Sequence, residues 1–164
     1  MMLQKRFSKQ VPTAGVGISG INYYLLINED FWAKQSADQK KGLLKHELLH
    51  IAFFHLTDFD HMTDPELANI AKDLEINQYI KKEWLPEGGM LLELFPELDL
   101  DEKAGSNYYY EKLQEAKQKG NCPNLNAMLE AMSKGDSTCT CNGEDGTPVE
   151  VKMPDHSSWG DSEE

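Results

Sequence analysis

The pattern of apolar and polar positions predicts one strand followed by a series of helices. Residues 21–28 are rich in aromatic and branched side chains, which is typical of a strand. Residues 1–13 are polar and residues 14–20 contain three glycines, so we expect a loosely ordered segment and then a turn. Residues 29–35 are predicted to connect the strand to the first helix.

The first predicted helix begins at a capping box. Ser36 and Gln39 have the spacing of that signal, and the helix is expected to run from about residue 37 to about residue 54. Its second half is apolar on nearly every side, and such a helix is expected to be buried. We therefore expect His46 and His50 to lie in the interior. The apolar residues are Leu48, Leu49, Ile51, Ala52, Phe53 and Phe54.

Three further helices complete a mostly helical α+β pattern. Residues 63–66 combine a cap residue with Pro65 at the first helical position, and this second helix should reach about residue 83. Helical spacing of apolar residues predicts helices over 106–119 and 124–134, with a loop or short helix over 90–100 and a short strand over 149–153. We predict an N-terminal segment (1–20), a folded domain (21–134) and a polar C-terminal tail (135–164), either flexible or docked.

Composition narrows the classes of function. The net charge of −12 argues against nucleic acid as a partner, because phosphate binding needs a surface rich in Lys and Arg. No apolar run approaches the roughly 18 to 20 residues that cross a bilayer, and no signal peptide is recognisable. We therefore expect a cytoplasmic protein with no membrane partner. Three cysteines do not indicate a disulfide framework.

The sequence His46-Glu47-Leu48-Leu49-His50 has the spacing of a zinc site on a helix. Residues four apart project from one face, so both imidazoles can bind one Zn²⁺ ion. The side chain of Glu47 is turned by about 100° around the helix axis from that of His46. From there it can reach a water molecule without binding the metal. We therefore predict that Glu47 is a general base.

A catalytic zinc ion needs a third protein ligand, and Asp73 is the candidate. Around the axis of the second helix, the Asp73 side chain points within about 60° of three apolar side chains. An ionised carboxylate on such an apolar face needs a cation beside it. Glu75 points to the opposite side and is expected to be solvated. Asn77 lies one turn beyond Asp73 and could orient a ligand. The apolar set is Ile70, Ile76 and Ile80.

Other histidines and the cysteines leave alternatives open. His55 could be a ligand if the first helix ends near residue 54, or it could cap the helix or support a ligand. His156 could reach the active site, or join Cys122, Cys139 and Cys141 in a structural metal site. The single residue between Cys139 and Cys141 is unusual for such a site, because two to four intervening residues are typical.

The sequence also resembles a known family. Residues 46–50, His55 and residues 69–77 look like the metallopeptidase domain that often precedes a von Willebrand factor A-like domain in bacterial proteins. Residues 106–113 and 155–159 resemble later segments of that family. The resemblance implies a zincin-like fold with a small sheet beside the zinc helix. It also suggests a bacterial or phage genome.

A more distant likeness is to gluzincins, in which the third ligand is Glu and a second carboxylate follows one turn later. Here Asp73 and Asn77 occupy those places, which is a departure. We expect a zinc-dependent peptidase that acts on a peptide or protein. The alternatives are a non-catalytic zinc-binding module and a phage or bacterial assembly protein that binds a partner protein.

Overall fold

The computed structural model describes residues 2–57 and 61–154. Within these ranges the chain forms two compact units. The first unit contains residues 2–57 and 80–86, and the second contains residues 61–79 and 87–154. None of the helices in the described ranges is both long enough and apolar enough to cross a membrane.

The first unit is built on a three-stranded sheet. Its strands are β1 (Leu3–Phe7), β2 (Ala14–Ser19) and β3 (Asn22–Ile27), in the order β1-β3-β2. β1 is parallel to β3, and β2 is antiparallel to it. The predicted strand over 21–28 is confirmed as β3.

Two expectations for the N-terminal residues are wrong, because residues 1–13 contain β1 and residues 14–20 contain β2. β1 lies at an edge of the sheet and is mostly exposed, so its polar side chains stay solvated while its backbone pairs with β3. In β2, Ala14 and Val16 face the core, and long-range pairing overrides the turn preference of the glycines.

The two helices of the first unit follow the sheet directly. A five-residue helix, α1 (Glu29–Ala33), replaces the predicted connection, because the side chain of Asn28 accepts hydrogen bonds from the Asp30 and Phe31 N–H groups. The next helix, α2 (Ala37–Ala52), begins at the predicted capping box of Ser36 and Gln39.

The expectation that the second half of α2 is buried all round is wrong. In that half only Glu47 and His50 are buried, while Leu48 is 45% exposed and Phe54, just beyond the helix, is 67% exposed. α2 packs against β2 and the 3-10 turn Lys82–Trp84. A small sheet and one turn cover only part of a helix surface. The core beneath α2 contains Ala14, Val16, Leu25, Ile27 and Leu56.

The second unit consists of three helices and a hairpin. The helices are α3 (Pro65–Asn77), α4 (Ser106–Lys119) and α5 (Pro123–Ser133), and the hairpin pairs β4 (Thr138–Asn142) with β5 (Pro148–Lys152). Short 3-10 turns at Leu92–Leu94 and Pro96–Leu98 fill the predicted loop. The short strand over 149–153 is confirmed as β5, but its partner β4 was not predicted.

α3 is shorter than its sequence pattern suggests. It begins as predicted, with Asp64 as the cap and Pro65 at the first position, but it ends at Asn77 rather than near residue 83. Ile80 therefore lies beyond the helix and is not part of its apolar face. The described chain has helices and small sheets, which confirms the α+β class.

Candidate metal centre

The two histidines of α2 present the same ring nitrogen to each other. The Nε2 atoms of His46 and His50 are 3.1 Å apart, and the ring centroids are 4.7 Å apart with an interplanar angle of 79°. Two nitrogens bound to a tetrahedral zinc ion at its usual bond length are about 3.3 Å apart. The pair therefore has nearly the bite of a two-nitrogen metal ligand.

The prediction that both histidines lie in the interior is confirmed for His50 and only in part for His46. His50 is completely buried, whereas His46 is only partly buried. Glu47, between them in sequence, is 4% exposed. Its carboxylate is thus largely shielded from solvent on a helix that otherwise exposes much of its surface.

A glycine sets how closely α2 approaches its neighbour in the first unit. A Cβ atom added to Gly42 would lie 2.0 Å from the backbone oxygen of Trp84. Only glycine permits this approach, one turn before His46. This contact was not predicted from the sequence, although a glycine inside an otherwise helical pattern often marks a close contact.

His55 lies behind His50 rather than beside the paired Nε2 atoms. α2 ends at Ala52, and the chain turns at Phe54, which has a φ of 61°. The turn brings the Nδ1 atom of His55 to 2.9 Å from the Nδ1 atom of His50. Of the alternatives that the sequence left open for His55, this geometry favours support of a ligand.

In the second unit, Asp73 and Asn77 lie in the buried part of α3. Asp73 is 7% exposed and Asn77 is 4% exposed, and every residue from 70 to 77 is buried. The Asn77 side chain donates a hydrogen bond of 2.8 Å to the carbonyl oxygen of Met90. Asn77 therefore anchors the segment that follows α3.

The expectation that Glu75 is solvated is wrong, because Glu75 is only 9% exposed. A Cβ atom added to Gly105 would lie 3.9 Å from its Oε1 atom, and Gly105 is the N-cap residue of α4. A carboxylate is favourable near a helix N-terminus. Lys72 is buried as well, so polarity alone did not identify the solvent face of α3.

A group of three side chains in residues 2–57 and 61–154 could hold a metal ion: His46, His50 and Asp73. They offer two imidazole nitrogens and a carboxylate oxygen. This donor set is compatible with zinc, which takes His nitrogen and Asp or Glu oxygen at catalytic sites.

The three cysteines are free thiols, and all of them belong to the second unit. The Sγ atoms of Cys139 and Cys141 are 3.3 Å apart, and the Cys122 thiol donates to the Glu97 carboxylate at 3.7 Å. Burial, followed by the hydrogen bond and charge of Cys139, raises the pKa of Cys141 to about 12.

These cysteine contacts do not form a compact set of three metal ligands among the residues that the structure describes. His156, the fourth residue of the predicted structural metal site, lies outside the described residues. That site remains a prediction.

The fold and these side chains define an α+β protein with a candidate metal centre on a helix. The chain belongs to the family described as "Putative metallopeptidase domain", whose model matches residues 3–161. This match confirms the resemblance to a metallopeptidase domain. Neither a curated protein nor a solved structure matched the chain.

Proposed function

We propose that this protein is a zinc-dependent peptidase in which His46, His50 and Asp73 hold the metal and Glu47 is the general base. The observation that carries the proposal is the separation of 3.1 Å between the two Nε2 atoms. The family supports a hydrolytic reaction on a peptide or protein. The proposal includes a zincin-like arrangement, in which the sheet lies beside the zinc helix.

The two histidines are suited to bind a cation without rearrangement. In the metal-free protein, a separation of 3.1 Å permits an N–H···N hydrogen bond between the rings. For both Nε2 atoms to hold a metal, the ring that donates this bond would pass its Nε2 proton to solvent and take one up on Nδ1, since a ligating imidazole nitrogen must be unprotonated. The rings are already close, so little conformational entropy is lost when the metal binds.

Asp73 is proposed as the third ligand because of its charge and burial. A carboxylate that is 7% exposed loses most of its hydration, and a cation offsets that cost. Glu75 is equally buried but points about 200° away around α3, toward the N-terminus of α4. Its charge therefore has a favourable environment within the second unit.

Glu47 would take up the proton of the attacking water. When bound, zinc would lower the pKa of a water molecule and polarise the substrate carbonyl group. The Glu47 carboxylate would then accept a proton at an oxygen atom and pass it to the leaving amine. Its low exposure keeps bulk water from competing for that proton.

Metal content and peptide cleavage test this function together. We expect about one zinc ion per chain in the wild-type protein, and loss of that ion in His46→Ala. Equal zinc content in both proteins would contradict the assignment. Cobalt loading separates the two candidate sites, because the cysteines would give a thiolate charge-transfer band that the histidine site lacks. Cys139→Ser is the matching control.

Catalysis is tested with Glu47→Gln, which keeps the shape of the side chain but cannot accept a proton. We expect this variant to retain zinc and to lose cleavage of a peptide library, and a chelator should abolish cleavage by the wild-type protein. If the wild-type protein binds zinc but cleaves nothing, the non-catalytic zinc-binding module replaces the peptidase proposal. If it binds no zinc, an assembly or interaction protein becomes the better hypothesis.

A further inference from the structure

The turn after α2 has the hydrogen bonds of a Schellman motif. The His55 N–H group donates to the His50 carbonyl oxygen at 2.9 Å, and the Phe54 N–H group donates to the Ile51 carbonyl oxygen at 3.1 Å. Phe54 takes the left-handed conformation that the motif requires, at a position where glycine is usual. The backbone therefore returns residue 55 to the side chain of residue 50.

The side-chain contact in this motif is polar instead of apolar. An ordinary Schellman motif joins these two positions by a hydrophobic contact. Here the contact is the pair of Nδ1 atoms of His50 and His55, 2.9 Å apart. His55 is 2% exposed, and the ring of Phe53 stacks on it with a centroid distance of 6.1 Å and an interplanar angle of 29°.

We propose that His55 is a positioning residue that fixes the ring and the tautomer of His50 for metal binding. The inference rests on the proposed zinc site. A zinc-bound Nε2 atom carries no proton, so the proton of neutral His50 must be on Nδ1. His50 then donates to the Nδ1 atom of His55, and His55 carries its own proton on Nε2.

This relay extends to the first histidine of the pair. The Nε2 atom of His50, left as an acceptor, faces the Nε2 atom of His46 at 3.1 Å. The three rings can therefore share hydrogen bonds in one direction, from His46 to His50 to His55. The metal-free protein would thus hold His50 in the tautomer that binds zinc, so the site is organised in advance.

Metal-ligating histidines usually donate their second ring N–H to a carboxylate, a carbonyl group or water, and loss of that partner typically lowers metal affinity 10- to 100-fold. A neutral imidazole as acceptor leaves no extra negative charge beside the ligand. The role of His55 is thus distinct from that of Glu47 and Asp73, which carry the negative charges of the proposed site.

The test compares two variants of His55 by zinc competition against a chelator. Asn places an oxygen near the position of Nδ1 and can still accept the hydrogen bond, whereas Leu fills the space without an acceptor. We expect His55→Leu to lower zinc affinity 10- to 100-fold and His55→Asn to restore most of it. Phe54→Gly, which keeps the turn, should leave zinc affinity unchanged. The melting temperature of each metal-free variant separates loss of fold from loss of affinity.

Nitrogen NMR of the histidine rings supplies a second measurement on the full chain, with and without zinc. We expect His50 to be protonated on Nδ1 and His55 on Nε2 in both states. Unchanged affinity in His55→Leu, or a proton on Nε2 of His50, would overturn the positioning role. Complete loss of zinc from both His55 variants would overturn it too, because His55 would then be a ligand. Zinc retained by His46→Ala would instead contradict the proposed function.

Discussion

Gly42 of α2 lies against the backbone carbonyl oxygen of Trp84, so closely that a methyl group at Gly42 would be 2.0 Å from that oxygen. The contact lies within the first unit and joins α2 to the 3-10 turn Lys82–Trp84. It fixes the position of the helix that carries His46 and His50.

Replacing Gly42 with Ala should therefore destabilise the protein. Helix propensity alone favours Ala over Gly by about 1 kcal/mol. The steric conflict with Trp84 involves backbone atoms, and overpacking of this kind typically costs about 1 to 3 kcal/mol. We expect a net loss in the free energy of unfolding, measured by urea denaturation. Lys45→Ala, at an exposed position of α2, is the matched control and should change stability little.

Asp73→Asn and Glu75→Gln are a matched pair for the third ligand. Both remove one negative charge from a buried position of α3 while keeping the size of the side chain. If Asp73 binds zinc, Asp73→Asn should weaken zinc binding by several kcal/mol, whereas Glu75→Gln should leave it nearly unchanged. Chelator competition measures both. Weakened binding only in Glu75→Gln would exclude Asp73 as the ligand.

Asp64 should make the stability of the second unit depend on pH. Burial tends to raise the pKa of Asp64, but the hydrogen bond from Lys117 at 2.6 Å, the Leu67 N–H group and the Lys117 charge together lower it. A lowered pKa stabilises the fold above the unfolded value of about 3.9, and this stability is lost as pH falls through the folded value.

Two substitutions of Asp64 separate its charge from its cap. Asp64→Asn keeps a helix cap and should cost about 0.5 kcal/mol at pH 7, since the pair with Lys117 is partly exposed. Asp64→Ala also removes the cap and should cost roughly 1 kcal/mol more. Urea denaturation at pH 7 and pH 3 tests this. A cost of Asp64→Asn that is the same at both values would exclude the charge effect.

The cysteines should react slowly with a thiol reagent in the folded protein. With a pKa of about 12, Cys141 is a thiolate in only about one molecule in 10⁴ at pH 8, against roughly a quarter for an ordinary thiol. Cys139 is partly exposed and should react first, while buried Cys122 and Cys141 should react far more slowly. Unfolding should expose three thiols. If the wild-type protein reacts rapidly at two thiols and Cys141→Ser reacts rapidly at only one, Cys141 is itself a fast-reacting thiol. That result would contradict this order.

Local signals in the sequence were enough to predict much of the framework. The Ser36 capping box marks the start of α2, Pro65 marks the start of α3, and α4 has the predicted bounds, Ser106–Lys119. These signals act within one or two turns of helix, where hydrogen bonds and side-chain spacing are set by neighbouring residues. For the same reason, the spacing of His46 and His50 predicts that their rings meet.

Tertiary structure decided the features that depend on distant partners or on a strained backbone. β1 is polar because it is an exposed edge, so only pairing with β3 identifies it as a strand. Glu75 is buried because α4 covers its side of α3, and no local pattern reveals that. His55 reaches His50 because α2 ends in a left-handed turn at Phe54, a residue type that rarely adopts this conformation. Each feature depends on pairing, burial or backbone strain in the folded chain, and these energies are absent from a short segment.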